Sequence, residues 1–258
     1  MTQVWIPASS ARAGTAVAGV VTALAAEARA FRPTAGRPET LATLSDGTLL
    51  KLCGIGPSAA AEAALTLVQA GATALASWGR AGGLDPELRA GTIFLPSEVL
   101  SELGVRFPTS HGWRDRLGTA AAFHHPVTSG TLLTRAAALD AIEAKAAAFE
   151  ATGAAAVDME SAAVADVAAA HGLPFIAVRV IIDTAGDALP SAVVSASRSG
   201  QVRIDRLLLG LLRRPADLVD LLKLASRYRA AMHSLAALAA LRVLGPLAFV
   251  SQANAGCP

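Results

Sequence analysis

At 258 residues, 53% hydrophobic and 16% charged, the chain has ample apolar content for one large domain or two small ones. That balance excludes a disordered chain, and 22 glycines in no fixed period with only two cysteines exclude collagen and disulfide scaffolds. A net charge of +2, from 22 basic and 20 acidic residues, is too even to predict nucleic-acid binding.

Residues 16–21 read as a buried first strand, followed by a helix over 24–31. After a loop and short strand over 36–44, Asp46-Gly47 predicts a hairpin turn before a second strand, 48–53. Gly54-Ile55-Gly56-Pro57-Ser58 is a glycine turn, with Ser58 placed to cap an Ala-rich helix ending near residue 70. Residues 72–78 and 92–99 read as further strands. The polar stretch 101–126 reads as an active-site or interface loop. Then come a strand over 126–133, a helix over 135–152, a short strand over 155–159, a helix over 160–170 and a buried strand over 175–182. From about residue 202 the pattern is helical. Residues 230–250 are almost wholly apolar, but His233, Arg242 and Pro246 interrupt them and Ala supplies much of the bulk. A buried or interfacial helix is expected there rather than a membrane span. Alternating strands and helices, with no repeat or linker, predict a single α/β domain over 1–258, its core over 16–200 and a helical segment over 202–245.

Three acids fall at strand ends, where open α/β sheets place their chemistry. Glu27 follows the first strand by one helical turn, Glu160 lies in Val157-Asp158-Met159-Glu160-Ser161, and Asp183 ends Arg179-Val180-Ile181-Ile182-Asp183. Competing motifs are weaker. Gly54-x-Gly56-x-x-Ala59 follows a strand as a dinucleotide fingerprint would, but Trp78-Gly79 stands where that motif needs an acid. His124-His125 lacks a third ligand at metal spacing, so no metal is expected. No Gly-x-Ser-x-Gly elbow occurs. Cys53 and Cys257 read as free thiols, and residues 1–14 lack the pattern of a signal peptide, so a cytoplasmic protein is expected.

Five blocks, in order, resemble the purine nucleoside phosphorylase and methylthioadenosine/S-adenosylhomocysteine nucleosidase superfamily. They are Gly19-Val20-Val21 through Glu27, Cys53-Gly54-Ile55-Gly56-Pro57-Ser58, Gly79-Arg80-Ala81-Gly82-Gly83-Leu84, Val157-Asp158-Met159-Glu160-Ser161 and Asp183-Thr184-Ala185-Gly186-Asp187. The resemblance implies a phosphorylase/hydrolase-like three-layer sandwich around a mixed, largely parallel sheet, and cleavage of a purine N-glycosidic bond. It implies Asp183 as the acid that protonates the departing base. Glu160 would bind the sugar hydroxyls and Met159 pack on the sugar ring, with Asp158, Gly82, Gly83, Ile55 and Gly56 also around the substrate. In the hydrolytic branch the acid at Glu27 activates water on the opposite face, the logic of inverting glycosidases.

Three departures stand out. Arg80 replaces a small polar residue, and its guanidinium either binds phosphate, which favours phosphorolysis, or pairs with Glu27. Leu133 stands about where an aromatic stacks on adenine. Ile182 replaces a Ser that supports the acid, leaving a backbone group to hold Asp183. No cofactor is implied beyond phosphate as a possible co-substrate, and relatives are often homo-oligomers.

Leu207, Leu208, Leu211 and Leu212 form an apolar stripe with Arg206, Arg213 and Arg214 near its ends, and beyond Pro215 another face carries Leu218, Leu221, Leu222 and Ala225. Alone, this reads as core or subunit interface. With its Leu-Leu-Arg-Arg-Pro step it resembles the hopanoid-associated phosphorylase branch, which implies phosphorolytic release of adenine from adenosylhopane. Residues 202–245 would then wall a lipid channel and touch a membrane surface. The alternatives are a hydrolytic methylthioadenosine/S-adenosylhomocysteine nucleosidase and a non-catalytic binder of a nucleoside or lipid.

Overall fold

In the computed structural model the described residues are 16–31, 41–123, 125–188, 217–241 and 244. The first half runs β1 (Ala18–Thr22), α1 (Ala25–Ala28), β2 (Leu41–Thr43), β3 (Leu49–Leu52), α2 (Pro57–Gln69), β4 (Ala74–Gly83), β5 (Ile93–Phe94), β6 (Glu98–Ser101) and β7 (Arg106–Pro108). It continues through α3 (His111–Ala122), β8 (Val127–Thr128), β9 (Thr131–Thr134), α4 (Ile142–Thr152), β10 (Ala156–Asp158), α5 (Ser161–Ala170) and β11 (Phe175–Asp183) to α6 (Asp217–Ala240).

β1 and β4 carry small and β-branched residues buried on both faces, as strands at the centre of a covered sheet must. β4 lies between β1 and β11, parallel to both, so the carboxyl ends of all three strands emerge on one side. At its own end β4 turns to pair antiparallel with β10 through Gly82 and Gly83. The path runs β2-β3-β1-β4-β10-β9-β6-β7, with β11 joined to β4 and β5, and β8 to β5. The sheet is mixed, with parallel pairings predominating.

Helices cover both faces. α2 and α5 pack on one, through Ala60, Ala63, Ala64, Ala162, Ala165 and Ala168, whose single methyls let helix and sheet approach closely. The approach is tight enough that a Cβ on Gly19 of β1 would meet the Cβ of Leu67 of α2 at 3.1 Å. On the other face, Trp113 and Leu117 of α3 pack with Ala231, Leu235 and Leu238 of α6. The apolar C-terminal stretch is thus a core helix over its described part. Among the described residues no helix is long and apolar enough to cross a membrane.

Several elements differ from the sequence expectations. Residues 101–126 are no simple loop: they hold the end of β6, β7 and α3, whose Trp113, Leu117 and Ala121 bury one face. His111, Arg114, Asp115 and Arg116 load the rest of α3 with charge and mask that four-residue spacing. The expected strand 92–99 is two, interrupted at Pro96, which offers no N–H to a ladder. Residues 126–133 divide at Ser129-Gly130, and the helix expected from 135 begins at Ile142. α2 is capped by Gly56, with Pro57 at its first position, and not by Ser58. Residues 202–216 lie outside the described residues.

Candidate active site

The acids come together because β1, β4 and β11 end on one side, while β10, antiparallel against the end of β4, brings Glu160 to the same place. Glu27 enters on the single turn after β1, where Leu24 N donates to its Oε2 at 3.0 Å and Thr22 Oγ1 lies 3.3 Å away. Asp183 is the last residue of β11, and Glu160 caps α5. All three line one cavity of about 220 Å³, together with Met159, Asp158, Arg80, Gly82 and Ile55. β4 makes the space for two of them. A Cβ on Gly79 would stand 3.0 Å from Glu27 Oε1, and one on Gly82 would stand 3.2 Å from Asp183 Oδ2.

Each acid has its own environment. Arg80 Nε donates to Glu27 Oε1 at 3.0 Å, and the Arg80 guanidinium sits over the Tyr228 ring of α6, 5.0 Å from its centroid. Of the two roles open to Arg80, the structure shows the pair with Glu27. Glu160 accepts from Gly56 N at 3.0 Å, so Gly56 serves the site through its backbone. Burial, with the neighbouring Asp158 carboxylate, pushes Glu160 up to about 7. Burial also pushes the Asp183 carboxyl above its usual range, against the pull of Lys145.

Among the described residues, Asp183 is held by a lysine side chain and not by a backbone group. Lys145 of α4 is fully buried and donates from Nζ to Asp183 Oδ2, to the Thr184 carbonyl at 2.9 Å and to the Asp187 carbonyl at 2.9 Å. The loop after β11 is tied again where Thr184 N and Oγ1 donate to Asp187 Oδ2 at 2.8 and 2.7 Å and Arg227 of α6 pairs with the same oxygen. Although partial burial opposes it, bonds from Arg227 and Thr184 bring Asp187 down to about 2.

Asp158 lines the cavity, but its carboxylate serves the scaffold. It accepts from Arg179 Nε at 2.9 Å and Nη2 at 2.6 Å, from Thr134 Oγ1 at 2.6 Å and from Ser161 N at 3.2 Å. Arg179, 2% exposed, also donates to Ser77, Ser161 and the Val178 carbonyl. A buried Arg is tolerated because its N–H groups find acceptors.

Two expected site residues stand elsewhere. Leu133 does not line the cavity: β9 turns it into a cluster with Leu84, Leu100 and Val157, of which only Val157 reaches the cavity. Gly83 supports the site from behind: a Cβ there would meet the Asp183 carbonyl at 3.1 Å. Sequence reasoning missed Lys145, Arg179, Arg227 and Tyr228. Arg179 stood inside a quoted motif, and a charge in an otherwise apolar strand was the available signal. Lys145 had none, since an Ala-rich helix with one Lys reads as exposed. Cys53, hydrogen-bonded to the Thr22 and Gly54 carbonyls, is pushed up to about 12 by burial and by Glu160 and Glu27, which makes it an unreactive thiol. Cys257 and His124 lie outside the described residues, among which no cluster of metal-ligating side chains occurs.

A helix-covered mixed sheet with three acids at its strand ends, in a chain whose sequence matches a phosphorylase superfamily, marks a glycosyl-bond-cleaving enzyme. The chain belongs to the phosphorylase superfamily, whose sequence profile matches residues 6–213. Among solved structures it is similar to a methylthioadenosine/S-adenosylhomocysteine nucleosidase of Colwellia psychrerythraea in complex with adenine. That match has a TM-score of 0.65 at 20% identity and covers 91% of this chain and 96% of that one. The corresponding nucleosidase of Neisseria meningitidis, in complex with methylthio-immucillin-A, matches at TM-score 0.63 and 19% identity, over 88% and 97%. A futalosine hydrolase of Helicobacter pylori matches at 0.62 and 16%, over 88% and 98%. These likenesses show the fold. Among curated proteins, none matches the chain.

Proposed function

We propose that the protein cleaves the N-glycosidic bond of an adenine nucleoside with an apolar 5′ substituent, using water as acceptor. The observation that carries this reading is the placement of Asp183, Glu27 and Glu160 on one cavity with Met159. Breaking the bond leaves positive charge on the sugar and negative charge on the base, so an acid is needed at the base and a base at the nucleophile. Asp183, which burial pushes toward its protonated form, gives a proton to a purine ring nitrogen. Glu27 takes a proton from water as its oxygen attacks the sugar carbon. Glu160 binds the sugar hydroxyls, and Met159 packs on the ring.

Three features support water over phosphate, the acceptor that the sequence favoured. Arg80 turns its Nε to Glu27 instead of an open anion site. A small cavity of about 20 Å³ beside Glu27, lined also by Ser77, Glu160 and Arg179, has room for about one water molecule and none for phosphate. Glu27, which lines both cavities, places a carboxylate where a phosphate dianion would have to approach.

The apolar 5′ group follows from Ile55, Ala138, Leu139 and Val157 around the cavity. Adenosylhopane, which the resemblance puts forward, and methylthioadenosine are the long and short substrates of that class. Ala231, Leu235 and Leu238 pack on the sheet, so this reading assigns the lipid end to the cavity's own apolar wall and not to them.

The test is adenine release from both nucleosides by the wild type, Asp183→Asn and Glu27→Gln. Each substitution is expected to lower kcat by about 10²-fold or more, the usual share of one acid or base. Release unaffected by Asp183→Asn would refute the assignment, and no release from any nucleoside would favour the non-catalytic binder.

A further inference from the structure

We propose that Lys145 is a positioning residue for the acid step, a buried ammonium that holds Asp183 and balances the charge left on it when its proton goes to the departing base. The inference rests on the reading of Asp183 as the acid at the base. Lys145 is 0% exposed, and a buried ammonium persists only where acceptors replace its lost water. Here its three donors go to Asp183 Oδ2 and the Thr184 and Asp187 carbonyls, all at the end of β11. The remaining Asp183 oxygen, Oδ1, has no hydrogen bond to a described residue.

The charged groups facing Asp183 are Lys145 from α4, Asp187 from the following loop and Arg227 from α6. β4 brings Gly82 and Gly83 against it and carries Arg80, which lines the same cavity with Glu27 and Glu160. Arg227 already pairs with Asp187, which leaves Lys145 as the cation in contact with the acid.

The step balances as follows. The Asp183 O–H bond breaks and a ring N–H bond forms, while the glycosidic electron pair leaves with the base. Water adds to the sugar carbon and gives its proton to Glu27. Asp183 is left as a carboxylate against the Lys145 ammonium, and solvent restores its proton while taking the one on Glu27. Without the ammonium, that carboxylate would be stranded in a buried site, and proton transfer would run uphill.

The pH dependence of kcat tests this in the wild type, Lys145→Met, Lys145→Gln and Lys145→Arg, each checked by its melting transition. The wild-type rate falls as rising pH removes the Asp183 proton. Removing the cation makes Asp183 a weaker acid, so Lys145→Met and Lys145→Gln are expected to move that fall up by about one pH unit and to lower the plateau about tenfold. Lys145→Arg, which keeps the charge, leaves the fall within a few tenths of a unit. In an Asp183→Asn background, Lys145→Met brings no further loss. A lower plateau with an unmoved fall in the folded Met and Gln variants overturns the inference, as does a shift in Lys145→Arg equal to theirs. If Lys145→Met does not fold, the Gln and Arg variants decide on the same criteria. A wild type that releases no adenine from any nucleoside overturns instead the proposed activity beneath.

Discussion

Glu160 gives the stability of the fold a pH dependence of its own. Its carboxyl is pushed from 4.5 in the unfolded chain to about 7, first by burial and then by Asp158. Between those values the unfolded state gives up the proton while the folded state keeps it. This group's contribution to stability therefore falls as pH rises through that window, by at most about 1.4 kcal/mol per pH unit. Glu160→Gln does not titrate and can still accept from Gly56 N. Its stability relative to the wild type, from urea midpoints, is expected to rise steadily from pH 5 to pH 7. A difference independent of pH would contradict the placement of Glu160 beside Asp158 in a dry site. Asp158 and Arg179 are the contrasting case, since their charges satisfy each other and fix strand ends.

At the scale of elements, β4 and α6 build the site. β4 places a glycine under each of two acids, so the sheet itself sets where the Glu27 and Asp183 carboxylates lie. Gly79→Ala and Gly82→Ala force each carboxylate aside by a few tenths of an ångström. They are expected to lower kcat about tenfold while shifting stability by less than about 1 kcal/mol. Gly112→Ala on α3, whose nearest contact would be the flexible end of Arg116 on the same helix at 3.9 Å, is the control and leaves the rate unchanged. Equal rates in all three variants would show that carboxylate placement does not limit the reaction. α6 contributes from the opposite side, where consecutive residues Arg227 and Tyr228 reach the Asp183 loop and the Arg80–Glu27 pair.

These elements also show what sequence could reveal. The gathering of Glu27, Met159, Glu160 and Asp183 on one cavity was legible because each lies within a few residues of a strand end, inside a local motif. The buried strands and α2 were legible from apolar runs and the glycine turn. Lys145 and Tyr228 were not, because their roles exist only once α4 and α6 pack against strands far away in the chain. α3 was hidden by its charged face. Leu133 was misplaced because motif order sets a residue's strand but not the direction its side chain takes.

For the molecule as a whole, hydrophobicity has a structural destination. Ala packs α2 and α5 onto one face of the sheet, and α6 covers the other with Ala231, Leu235 and Leu238. Cutting the chain after Leu209 would therefore uncover the sheet, and loss of activity on truncation would say nothing about a lipid substrate. The central claim is chemical: one cavity with an acid for the departing purine and a carboxylate base for water. Its most direct measurement is the product formed from methylthioadenosine and from adenosylhopane in phosphate-free buffer and with phosphate added. Adenine and the free sugar, formed at the same rate in both buffers, are the predicted result. Adenine released only with phosphate, together with a sugar 1-phosphate, would contradict it.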